Sequence, residues 1–71
     1  MKYEEMLALK KGDIVIADKC ISEQPPELLG TMRIVEEIQD PEISGYQAYM
    51  VDSEDWCWGH DEIRFLTEEE K

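Results

Sequence analysis

No segment of this chain approaches the ~20 consecutive apolar residues that a membrane-spanning helix needs. Cysteine is scarce, with only Cys20 and Cys57, and histidine is limited to His60. A structural zinc site usually takes four Cys or His ligands. The Cys57-Trp58-Gly59-His60 spacing with Cys20 supplies only three, so no metal is expected. Glycine-rich phosphate loops and Gly-x-Ser-x-Gly turns are missing, and no feature marks Cys57 as an activated nucleophile. The expectation is a protein without catalytic activity or cofactor. Met1–Lys11 is charged and has no apolar core segment, which predicts a cytoplasmic chain with reduced thiols.

Basic residues are the most telling scarcity. Residues 1–35 carry five against six carboxylates, whereas residues 36–71 carry only Arg64 and Lys71 against twelve. The formal net charge of −11 therefore sits almost entirely in the second half. Such a field repels nucleic acid and anionic membrane and favours cationic partners.

What is present is enough for one small core. The chain has 71 residues, of which 42% are hydrophobic. That predicts one domain, without room for a large internal pocket. Lys2–Leu9 suits either a short helix or an extended lead-in, with Tyr3, Met6, Leu7 and Leu9 as an apolar stripe. Lys10–Asp13 reads as a turn, and Ile14–Asp18 as a strand opened by four apolar residues in a row. Pro25, Pro26 and Gly30 mark a loop of about ten residues, which Leu28 and Leu29 tuck onto the core. Thr31–Ile38 alternates, with Met32, Ile34 and Ile38 on one face and Arg33, Val35 and Glu37 on the other. Tyr46–Val51 is a third strand. Asp52–Asp55 is a hairpin-length connection to Trp56-Cys57-Trp58, and Ile63–Leu66 is a fifth strand. Ile34 and Trp56 are core candidates, whose truncation to alanine would cost about 2–5 kcal/mol. Thr67–Lys71 is expected as a mobile acidic tail.

Five short antiparallel strands must curl to protect their edges. The fold class expected is mainly β: a small, partly open barrel over residues 11–66, after a helix or lead-in over 1–10. This order of strands and loops resembles the SH3-like barrel. Lys11-Gly12-Asp13, the strand Gly30–Val35, and Trp56-Cys57-Trp58 followed by Asp61-Glu62-Ile63 are similar to small barrel proteins encoded by phages and mobile elements. The resemblance implies a non-enzymatic inhibitor or modulator.

Two surfaces are candidate sites. The first is acidic: Glu36, Glu37, Asp40, Glu42, Asp52, Glu54, Asp55, Asp61 and Glu62 fall around three loops and their strand ends. Gathered on one face, they could imitate nucleic-acid phosphates and occupy a basic, nucleic-acid-binding protein. The alternative is a solvated surface that aids solubility. The second is aromatic: Tyr49, Trp56 and Trp58 could line a groove for an extended peptide. They could equally fill the core, which a domain this small needs. A third possibility is a homodimer formed through an uncovered strand edge.

Overall fold

The computed structural model describes residues 1–21, 24–39 and 47–71. A short helix α1 (Tyr3–Leu7) precedes five strands: β1 (Ile14–Ala17), β2 (Met32–Gln39), β3 (Tyr49–Asp52), β4 (Cys57–Trp58) and β5 (Ile63–Arg64). All pairings are antiparallel, in the order β4-β3-β2-β1-β5. The mainly β expectation of about five strands after a short helix holds, and the curled sheet is consistent with a small partly open barrel.

The turn before β1 is built as its residues demand. Asp13 Oδ2 accepts from the Lys10 amide at 2.8 Å, and Gly12 takes φ +96°, a backbone region open to glycine. The Gly12 amide then donates to Val35, and the Val35 amide donates to Asp13, carrying the β1–β2 ladder to its end.

β2 does double duty. Its first half pairs with β1 (Ile34 with Ile14, Met32 with Ile16) and its second with β3 (Ile38 with Met50, Gln39 with Tyr49). A bulge between Val35 and Glu37 separates the halves. A bulge adds a residue, bends the strand and shifts its alternation. The sequence-based face assignment fails here. Before the bulge, Arg33 and Val35 point inward while Met32 and Ile34 point outward, 53% and 46% exposed. After it, Ile38 packs against the core. Ile34 is therefore not a core residue.

The core gathers Met6, Val15, Ala17, Val35, Ala48, Met50, Trp58 and Ile63. Met6 is the inward anchor of α1, whose five residues could not hold a helix alone. Tyr3 adds a second tie, its hydroxyl accepting from the Ala48 amide at 3.2 Å. Trp56 packs against this cluster from a half-buried position.

The long loop closes the barrel. The Asp18 and Lys19 amides donate to the Glu62 carbonyl, and Gln24 Nε2 donates to the Cys57 carbonyl on the outer strand β4. At the other end, the acidic terminus expected as a mobile tail forms a 3-10 turn over Glu68–Glu70. Glu70 holds Arg64 through two hydrogen bonds of 2.7 and 3.0 Å. That paired guanidinium lowers the Glu70 carboxyl to about 2.

Candidate functional site

The acidic residues separate into carboxylates that build the fold and carboxylates left on its surface. Asp52 is the clearest of the first kind, at 1% exposed. It ends β3 at an inward position opposite Val35. Its Oδ1 accepts from the Glu54 and Trp56 amides at 2.8 and 3.0 Å, shaping the hairpin turn. Its Oδ2 accepts from Trp58 Nε1 at 2.8 Å and lies 3.4 Å from the guanidinium of Arg33. A buried arginine needs such a partner, because an uncompensated charge in the interior is costly. Glu54 completes the arrangement from outside, 3.0 Å from the same guanidinium nitrogen.

Glu62 is the second structural carboxylate, at 4% exposed. Its Oε1 accepts from the Gly59 amide at 2.9 Å, and its Oε2 accepts from the Ile21 amide at 3.0 Å. It fastens the long loop to the β4–β5 turn. Asp52 and Glu62 are thus corrections to the expected docking surface: hydrogen-bonding demand inside the fold consumes them. Asp40 and Glu42 lie outside the described residues.

The remaining carboxylates are exposed, and several converge. Alternation places Glu37, Val51 and Cys57 in one outward-facing row across β2, β3 and β4. Asp55 sits in the adjoining hairpin with φ +68°, a left-handed conformation that aspartate tolerates. The Cys57 thiol registers what surrounds it. Partial burial pushes its pKa up first, and the negative charges of Asp52, Asp55 and Glu37 push it further. Glu36, at the bulge, is paired with Lys11 at 3.0 Å. Asp61 is exposed in the β4–β5 turn.

No known family model, curated protein or solved structure matches this chain. Its chemistry therefore has to be read from the side chains themselves.

The aromatic candidates part company in the same way. Trp58 is fully buried, and its indole N–H is spent on Asp52. It belongs to the core, as does most of Trp56. Tyr49 and Trp58 both line a shallow cleft of about 530 Å³, together with Gln47, Cys57 and Gly59. Of the expected groove residues, Tyr49 and Trp58 share this cleft, and Trp56 is not among its lining.

Among the described residues, no group of three or more His, Cys, Asp or Glu side chains is placed to hold a metal ion. Cys20 donates to the Pro25 carbonyl, while His60 pairs with the Met1 carbonyl and stacks edge-on against Tyr3 at 5.6 Å. Sequence reasoning missed the Arg33–Asp52 pair. Its only trace was one basic residue inside an apolar strand.

Cys57 offers a direct probe of the acidic row. A raised thiol pKa means less thiolate near neutrality and slow alkylation. Glu37→Gln with Asp55→Asn should speed iodoacetamide capture at pH 8 by about twofold or more. Added salt should accelerate the parent protein but not the double variant. Equal rates in all four conditions would mean the charges do not act together at this point.

Proposed function

We propose that this chain is a non-enzymatic acidic binding protein whose outer β2–β3–β4 face docks on a basic, nucleic-acid-binding protein. It would do so as a nucleic-acid mimic, in the manner of inhibitors and modulators carried by phages and mobile elements. The observation that supports this reading is the register that sets Glu37 in line with Val51 and Cys57, beside the hairpin carrying Asp55; both carboxylates raise the Cys57 pKa, after its partial burial. Across residues 36–63 there is no lysine or arginine to interrupt it. Glu37 lies on β2 and Asp55 in the hairpin between β3 and β4, and fixed spacing of negative groups is what a phosphate row presents to a basic channel. Asp52 and Glu54 are paired with Arg33, so Glu37 and Asp55 make the contacts.

Raising salt from roughly 50 to 500 mM shortens the screening length from about 14 to about 4 Å. Basic proteins captured by this chain at low salt should therefore elute as salt rises, and duplex DNA should compete with their capture. Glu37→Lys combined with Asp55→Asn should weaken those complexes by about tenfold or more. Asparagine keeps the left-handed turn that lysine would strain. Unchanged affinity of every captured protein for the double variant would exclude this face.

A further inference from the structure

β1 carries four consecutive apolar residues, Ile14-Val15-Ile16-Ala17. An antiparallel strand with one wetted face normally alternates; an unbroken apolar run belongs to a sheet covered on both sides. The fold covers only one. Val15 and Ala17 face the core, while Ile14 and Ile16 face out. Ile16 is nonetheless buried, at 2% exposed, so the uncovered part of this face centres on Ile14. Its cross-strand partners are Met32 and Arg64, and Ile14 pairs with Ile34. Phe65 and Leu66 line one hollow together with Ile14. Ile14, Met32, Ile34 and Phe65 are 44, 53, 46 and 46% exposed.

We infer that this outer β5–β1–β2 face is the contact through which two copies of the chain pair. The apolar side chains offer on the order of 400 Å², a size at which patches on soluble chains mark interaction sites. A stable interface takes about 800 Å² from each partner, so the surrounding rim must join the contact. That rim identifies the occupant. Several of its charges are matched within the chain: Lys11 with Glu36, Arg64 with Asp18 and Glu70, Lys71 with Glu68. A basic partner would find each of these carboxylates already engaged. A second copy brings the same apolar centre and the same balanced rim, which suits a two-fold contact. The acidic row lies on β2–β4, beyond the bulge, and stays free in the pair. The inference is independent of the docking proposed for that row.

Pairing two chains of net charge −11 works against long-range repulsion, so salt must strengthen it. Sedimentation equilibrium of the full chain should show a dimer that tightens between about 50 and 500 mM NaCl, the opposite of the trend for the acidic face. Ile34→Lys should raise the dimer dissociation constant about tenfold or more, with an unchanged far-ultraviolet circular dichroism spectrum. Should that variant fail to fold, Met32→Gln tests the same face more gently. Glu37→Lys with Asp55→Asn should leave the dimer intact. A monomer at the highest concentration in high salt would overturn the inference. So would a dimer indifferent to both Ile34→Lys and Met32→Gln, or one dissolved by the acidic-face variant.

Discussion

Asp52→Ala should unfold a large fraction of the protein. The change leaves the buried Arg33 guanidinium with only the exposed Glu54 as a charge partner, and leaves Trp58 Nε1 and two turn amides without their acceptor. Breaking a buried pair by removing one partner costs about 3–5 kcal/mol. Domains below about 70–80 residues rarely hold more than about that in total. Urea titration followed by tryptophan fluorescence reads the loss directly. Asp52→Asn keeps an acceptor for the turn and removes the charge, so it should fall between the parent and the alanine variant. Adding Arg33→Met to Asp52→Ala should recover part of the loss, because the stranded charge is then gone. A cost below about 1 kcal/mol for Asp52→Ala would show that the pair does not organise the hairpin.

Trp58→Ala is expected to be comparably severe, at about 3–5 kcal/mol. Trp58 is the largest fully buried side chain, opposite Met50 at the centre of the second half-barrel. Two losses combine, the cavity and the hydrogen bond from Trp58 Nε1 to Asp52. Trp58→Phe separates them by retaining most of the ring and discarding the N–H, and should cost about 1–2 kcal/mol. Trp56→Ala removes a half-buried ring and should cost less than Trp58→Ala. If the two alanine variants melted together, the distinction between core and rim tryptophan would be wrong.

The two predictions share a cause. One inward carboxylate joins β2, the hairpin and the core tryptophan, so the hairpin that presents Glu54 and Asp55 is tied to the core beneath it. The bulge in β2 then divides the exterior. Before it, the outer face is apolar with a balanced rim; after it, the outer face is acidic. If both proposed contacts form, they would respond to salt in opposite directions, and a dimer would present two acidic faces at once.

Much of this was legible in the residues. The Lys10–Asp13 turn follows from local chemistry, since Asp13 is within reach of its own turn and Gly12 accepts positive φ. The β-branched run of β1, the hairpin length of Asp52–Asp55 and the proline-marked loop each report on their neighbours along the chain. The lopsided charge is a property of composition alone. The five strands and their succession along the chain are therefore determined locally, together with the acidic composition of the second half.

Which face of each strand turned inward was decided by tertiary structure. Met32-Arg33-Ile34-Val35 carries apolar residues at both parities, so alternation cannot choose between them, and the bulge that settles the phase is stabilised by pairing with two different strands. Nor can composition tell Asp52 from Glu54 or Glu62 from Asp61. Asp52 is buried because Arg33, 19 residues earlier, arrives at the same end of the barrel; Glu62 is buried because the Ile21 amide, 41 residues away, needs an acceptor. Burial of a charge is a property of the groups that meet it, and those meet only once the sheet has closed.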